Sequence, residues 1–315
     1  METGFVGLGR MGANMARRLM AGGHRVVVTN RSPEPIQELA TEGAVAAFTR
    51  AELVGLMKAP SVVWTVLPAG ETTQQAVDEL AGLLQPGDLI VDAANSHYTD
   101  SMRRASILAE RGIHFVDAGT SGGIWGKENG YSMSVGGSAE AVAMMLPLVK
   151  TLAPAADRGW GHVGPVGSGH FVKMVHNGVE YGMMEAYAEG FDLLRSKNEF
   201  ALDTHQVAEL WREGSVIRSW LLDLAARALE PDPTLAAVAP VVQDSGEGRW
   251  TVLEAVNQGV SAPVIAAALN VRFSSRDETG YAARILSALR GQFGGHAVAA
   301  AEPPAGGADS ALTPR

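Results

Sequence analysis

Residues 4–12 read Gly4-Phe5-Val6-Gly7-Leu8-Gly9-Arg10-Met11-Gly12. An apolar run enters a Gly-x-Gly-x-x-Gly turn, and the residues after it suit a helix. In that setting the glycines permit a tight turn and a close approach by a pyrophosphate, which the helix N-terminus faces. The glycine spacing alone is a weak signal; its place between a strand and a helix gives it weight. A glycine-rich βα turn that holds no ligand is the plainer alternative.

Working outward, β-rich runs at 4–7, 25–29, 61–66, 89–92, 114–117 and 132–135 alternate with helix-compatible segments at 11–21, 33–42, 72–84, 98–111 and 139–148. Gly22-Gly23, Pro86-Gly87-Asp88 and Gly136-Gly137 punctuate them as turns. Such alternation predicts an α/β fold, a Rossmann-type doubly wound domain with a mostly parallel sheet covered on both faces. Beyond a glycine-rich stretch at 159–169 the pattern becomes helical, at 170–197, 203–213, 217–230, 251–258, 263–270 and 279–289. We therefore expect a dinucleotide-binding domain at 1–165, an all-helical C-terminal domain at 166–296, and a disordered Ala/Pro/Gly-rich tail at 297–315.

Composition narrows the function. The 315 residues carry a formal charge of −9, which disfavours nucleic acid and anionic lipid as partners. The chain has no cysteine, which removes disulfides, thiolate metal sites and cysteine nucleophiles together. No apolar run approaches the roughly 18 residues of a membrane span. Met1-Glu2-Thr3 lacks a basic signal region, so a cytoplasmic protein is the expectation.

The second strand ends in Thr29-Asn30-Arg31-Ser32, with no carboxylate before Glu34. A carboxylate there would suit the ribose hydroxyls of NAD, whereas Arg31 and Ser32 suit a 2′-phosphate and Asn30 would not repel it. This favours NADP and leaves NAD open. Ser32-Pro33 also reads as a helix N-cap followed by proline, and Arg31 as an exposed loop residue.

The long helical segment carries Lys173, His176, Asn177, Glu180 and Tyr181. Their spacing puts them within an arc of about 140° on one helix face. A solvated stripe with a Lys173–Glu180 attraction would explain that spacing as well. Two further runs weigh against it. Thr120-Ser121-Gly122-Gly123 and Asp92-Ala93-Ala94-Asn95-Ser96 follow strands, at the carboxyl ends where open α/β sheets bind ligands.

Gly7–Gly12, Asp117-Ala118-Gly119-Thr120-Ser121-Gly122-Gly123, Gly169-His170-Phe171-Val172-Lys173-Met174-Val175-His176-Asn177-Gly178, Gly246-Glu247-Gly248-Arg249-Trp250-Thr251 and Phe293-Gly294-Gly295-His296 together resemble the decarboxylating 6-phosphogluconate dehydrogenases. These belong to the β-hydroxyacid dehydrogenase superfamily, and the length is similar to their short bacterial form. The resemblance implies Lys173 as general base and acid and Glu180 as second acid. It implies substrate contacts at Asn95, Ser121, Gly122, Gly123, His176, Asn177, Tyr181, Arg249, Thr251, Arg272, Arg290 and His296. Arg249 stands where the long form commonly has Lys. Cofactor contacts are implied at Gly7, Leu8, Gly9, Arg10, Met11, Gly12, Asn30, Arg31, Ser32, Leu67, Pro68, Ala69 and Asn95, with Pro68 replacing a Lys often seen in the long form.

The implied reaction is oxidation of 6-phosphogluconate and loss of carbon dioxide, giving ribulose 5-phosphate, without a metal. It also implies a place in gluconate use or the pentose phosphate pathway. The resemblance further suggests a homodimer in which Arg290 and His296 complete the neighbouring subunit's site. A dehydrogenase of small unphosphorylated acids such as 3-hydroxyisobutyrate, an imine reductase and a non-catalytic dinucleotide sensor are the competing readings. The first would not need the arginines and His296, Lys173 in the proton-relay position disfavours the second, and an intact Lys173 and Glu180 disfavour the third.

Overall fold

The structure, a computed structural model, describes residues 1–294 and 297–299. A short run buried on both faces forms β1 (Glu2–Val6), and α1 (Arg10–Ala21) follows the glycine turn. Then come β2 (Arg25–Thr29), α2 (Pro33–Thr41), β3 (Val45–Ala46), α3 (Arg50–Gly55), β4 (Val62–Thr65), α4 (Glu71–Leu83), β5 (Leu89–Asp92), α5 (Tyr98–Ala109) and β6 (His114–Ser121). The domain closes with α6 (Gly126–Asn129), β7 (Ser132–Gly136), α7 (Ala139–Leu152) and β8 (Trp160–Gly164).

The eight strands lie in the order β3-β2-β1-β4-β5-β6-β7-β8. All neighbours are parallel except β6 and β7, so the last two strands run opposite to the rest. Strand order reverses between β1 and β4, which opens a crevice beyond their carboxyl ends. Successive strand residues face opposite sides of the sheet. Phe5, Val26, Val28 and Trp64 enter one buried layer with Met15 and Leu19. Val6, Val27 and Val63 enter the other, with Leu53 and Leu80. Phe5 and Trp64 stack with centroids 5.7 Å apart. Each such fully buried large side chain contributes roughly 1.5–3 kcal/mol.

Four elements escape the sequence reading, the four-residue α6 among them. Strand β3 is only two residues long and pairs with β2 alone. Thr49 caps helix α3: Glu52 N donates to Thr49 Oγ1 at 3.0 Å, and Glu52 Oε2 accepts from Phe48 N at 2.6 Å. Strand β8 lies in the glycine-rich stretch read as a connection. Two glycines in five residues give it little strand propensity, and the ladder with β7 forms it.

The second half is helical: α8 (Ser168–Ser196), α9 (Thr204–Arg212), α10 (Trp220–Leu229), α11 (Glu247–Gln258), α12 (Pro263–Ser274) and α13 (Tyr281–Gly294). At 29 residues, α8 is about 43 Å long. Asp203 caps α9, and Ser219 caps α10 three residues later than the apolar pattern begins. Ala208, Leu222, Ala226 and Leu229 form a small core with Tyr187 and Phe191 of α8.

The chain forms two compact units, Met1–Ala239 with Asp244–Asn270, and Pro240–Gln243 with the residues from Val271 onward. Within the second, Val242 N donates to Ser275 Oγ at 3.0 Å. No helix among the described residues is long and apolar enough to cross a membrane. His296 and most of the tail at 297–315 fall outside the described residues.

Candidate active site

The glycine turn sits at the switch between β1 and β4. A Cβ on Gly7 would meet Val66 O at 2.4 Å, and one on Gly12 would meet Gly7 O at 2.1 Å. Packing therefore accounts for both. A Cβ on Gly9 would meet nothing within 4 Å, so its bare backbone faces open space at the start of α1. That is what the approach of a pyrophosphate needs, and the turn fits a dinucleotide. Leu8 N donates to Asn30 Oδ1 at 3.1 Å, which ties the turn to the end of β2. Ser32 occupies the N-cap position of α2, but its side chain makes no capping bond. Arg10 and Arg31 are exposed. Leu67, Pro68 and Ala69 follow β4, and Thr73 Oγ1 holds Pro68 O at 2.8 Å.

Three glycines bring α8 onto the sheet. A Cβ on Gly119 would lie 2.5 Å from Lys173 Cβ, one on Gly169 2.3 Å from Asp117 O, and one on Gly136 2.6 Å from Gly169 N. Buried Asp117 accepts Gly167 N and His170 N, each at 2.7 Å, so a carboxylate meets the positive end of α8. Burial pushes the pKa of Asp117 up, against His170 and these amides. His170 Nδ1 lies 2.7 Å from Ser101 Oγ.

The result is a cleft of about 150 Å³ lined by Gly119, Ser121, Ser132, Ser134, Trp160, Lys173 and His176, among others. Lys173 is 9% exposed. Desolvation lowers its pKa from the ordinary 10.5, against the charges of Glu180 and Glu247. Lys173 Nζ stands 3.5 Å from His176 Nδ1, which in turn is 3.1 Å from Asn177 Oδ1 and 3.9 Å from Glu180 Oε2. Glu180 thus pairs with His176, and no Lys173–Glu180 bridge forms. A buried amine of lowered pKa beside an imidazole, an amide and a half-exposed carboxyl can exchange protons with a bound hydroxy acid.

The remaining expected residues divide. Gly122 and Gly123 take φ of +144° and +54°, a backbone suited to glycine, directly after Ser121. Asn95 is exposed beyond β5. Tyr181 is buried against Gly248, where a Cβ would lie 2.4 Å from its ring, and its hydroxyl accepts Ser245 N at 3.3 Å. Thr251 Oγ1 donates to Met174 O and Glu247 O, both at 2.8 Å, and locks α11 to α8. Arg249 forks onto Asp244 at 2.8 and 2.9 Å. In the second unit Arg272 is buried and donates to Gln243 O at 2.9 Å. Arg290 lies within α13 and does not close it.

Sequence reading missed Asp117 as the anchor of α8, Gly119 as its seat, and Ser132, Ser134 and Trp160 as cleft walls. The quoted Asp117-Ala118-Gly119 run held the first two, but nothing local marks the helix they meet. Among the described residues no group of three His, Asp or Glu could hold a metal ion.

Comparison with known proteins shows the family. Residues 2–162 match the family model of the NAD binding domain of 6-phosphogluconate dehydrogenase, and residues 169–288 match that of the 6-phosphogluconate dehydrogenase C-terminal domain. A Haloferax volcanii protein, named an NAD(+)-dependent decarboxylating 6-phosphogluconate dehydrogenase, is 41% identical over 300 residues, covering 95% of this chain and 99% of its own. The 6-phosphogluconate dehydrogenase of Plasmodium falciparum, solved with NADP+ and with 6-phosphogluconate, superposes with a TM-score of 0.81 at 26% identity, over 96% of this chain and 67% of that one. A 3-hydroxyisobutyrate dehydrogenase of Mycobacterium tuberculosis shares the fold, with a TM-score of 0.70 at 23% identity over 88% of this chain and 94% of that one. With both family models matched in order along nearly its whole length, the chain belongs to the 6-phosphogluconate dehydrogenase family.

Proposed function

We propose that this protein oxidises 6-phosphogluconate at carbon 3 and releases carbon dioxide, giving ribulose 5-phosphate. The observation that carries the reading is Lys173, an amine desolvated on the wall of a cleft at the carboxyl edge of the sheet. Unperturbed, this amine would be mostly protonated at neutral pH; burial shifts it toward the neutral base.

Bound nicotinamide supplies the hydride acceptor. Neutral Lys173 takes the proton of the carbon 3 hydroxyl as the hydride departs. Its ammonium then donates a hydrogen bond to the new carbonyl and draws electrons from the breaking bond between carbons 1 and 2. Glu180 delivers a proton to the carbon left behind, which becomes carbon 1 of the product. Ser121, Gly122, Gly123, Asn95, His176 and Asn177 hold the sugar acid, with Tyr181 and Thr251 behind them. Arg249 is a cation for its phosphate, joined there by the partner's Arg290. Gly7, Leu8, Gly9, Arg10, Met11, Gly12 and Asn30 cradle the dinucleotide, with Leu67, Pro68 and Ala69 over it. Arg31 and Ser32 select NADP through its 2′-phosphate.

Two copies assemble, with Arg290 and His296 completing the partner's site. Leu193 on α8, Leu210 on α9 and Val216 before α10 are 69–99% exposed, apolar surface that a lone subunit leaves to water. The test is absorbance at the reduced-nicotinamide band with 6-phosphogluconate and NADP or NAD. Reduction with release of carbon dioxide is expected; activity confined to 3-hydroxyisobutyrate, or none at all, overturns the reading.

A further inference from the structure

Arg104 of α5 and Asp92 of β5 form an ion pair at 2.8 Å whose side chains are 1% and 0% exposed. Burying two charges costs several kcal/mol per ion, and well-packed apolar residues stabilise a fold as well or better. This pair therefore calls for a reason beyond stability, and the partners of the guanidinium supply one. Nη1 donates to Asp92 Oδ2 and, at 3.0 Å, to Ser96 Oγ. Nε donates to Gln74 Oε1 at 3.0 Å, and Nη2 reaches Gly70 O at 3.5 Å. Asp92 spends its other bonds on Ala94 N at 3.0 Å and Ser96 Oγ at 2.9 Å.

One planar fork thus joins the loop after β4 to the loop after β5. Asn95 projects from between Ala94 and Ser96, both fixed by Asp92. Gly70 ends the segment that carries Leu67, Pro68 and Ala69. We infer that Arg104 is a positioning residue, which holds these two loops in register so that dinucleotide and substrate meet one preformed surface. The inference rests on the proposed placement of Leu67–Ala69 and Asn95 at the ligands. A fork is required because a lysine ammonium, a point charge on a flexible stem, cannot span Asp92 and Gly70 together.

The experiment uses the full chain with Arg104→Lys, Gln74→Leu and Asn95→Ala. NADP binding is titrated by tryptophan fluorescence, KM and kcat are measured for both substrates, and melting is followed by circular dichroism. Arg104→Lys keeps the charge opposite Asp92, so its melting temperature should stay close to the parent. Its Kd for NADP should rise at least about tenfold, the equivalent of one charge-assisted hydrogen bond, with KM for both substrates raised more than kcat falls. Gln74→Leu, which removes one arm of the fork, should show the same effect in smaller measure, and it decides the matter if Arg104→Lys does not fold. Parental Kd and KM in the folded Arg104 variant, or in Gln74→Leu when that variant decides, overturn the inference. If Asn95→Ala is then impaired, the proposed site stands without the clamp; if it too is unchanged, the placement of these loops at the ligands fails with it.

Discussion

Gly119→Ala adds one carbon at the point where α8 meets the sheet. The new Cβ would lie 2.5 Å from Lys173 Cβ, 2.6 Å from Gly169 O and 2.7 Å from Ser134 Oγ. Carbon atoms pack at about 3.5–4.0 Å, so the first contact is short by 1 Å or more. Lys173 Cβ and Gly169 O are bound to the α8 backbone and cannot swing aside, so the helix must retreat by about that distance. Overpacking of this kind costs roughly 1–3 kcal/mol. In a chain of 315 residues it lowers the melting temperature by about 2–5 °C. Lys173 retreats with the helix, and a misplacement of about 1 Å at the reacting centre costs about a hundredfold in rate. The assay pairs kcat at saturating substrates with NADP binding, whose glycine turn the substitution does not touch. A hundredfold loss of kcat with parental NADP affinity is expected. A folded variant within twofold of parental kcat would refute the seating of Lys173 by Gly119.

Gly9→Ala makes the opposite test: Gly9 has an ordinary φ of −63° and its Cβ would meet no protein atom, so melting should hold while NADP binding is lost, as titration will show. The acid limb of kcat/KM should stand below the ordinary lysine value of 10.5, because burial lowers the Lys173 pKa and activity falls once the amine is protonated. Glu180→Gln removes a charge that raises that pKa and should move the limb to lower pH; a pH profile with no move, or a move upward, counts against the coupling. Arg31→Glu should weaken NADP much more than NAD, and an unchanged ratio of the two Kd values leaves Arg31 a loop residue. Mixing inactive Lys173→Met and Arg290→Ala chains should recover activity through hybrids with one complete site, and subunit exchange that restores nothing defeats the shared site.

Much of the site is local in origin, which is why it is legible. The glycine turn announces itself because backbone sterics restrict a tight strand-to-helix turn to few residues. Lys173, His176, Asn177, Glu180 and Tyr181 share a face because 3.6 residues make a helical turn. What each then does depends on distant chain. Lys173, Asn177 and Tyr181 are buried while His176 stays exposed, a division that the sheet and α11 impose and helical periodicity cannot. Arg249 reads as a free cation, yet Asp244 holds it by two bonds. The Thr49 cap of α3 is a local signal, legible in Thr49-Arg50-Ala51-Glu52; strand β8, with its two glycines, carries no such signal.

The strand and helix alternation, the dinucleotide turn and the polar stripe of α8 are legible in the chain alone, since each follows from covalent geometry and the period of a single element. Folding makes Asp117, 53 residues before His170, the anchor of the start of α8, and makes Arg104 the join between two loops. Folding also strips Lys173 of water and lowers its pKa below that of an ordinary amine. Desolvation and charge pairing are set by which segments pack together, and that is a property of the folded chain, not of any stretch of it.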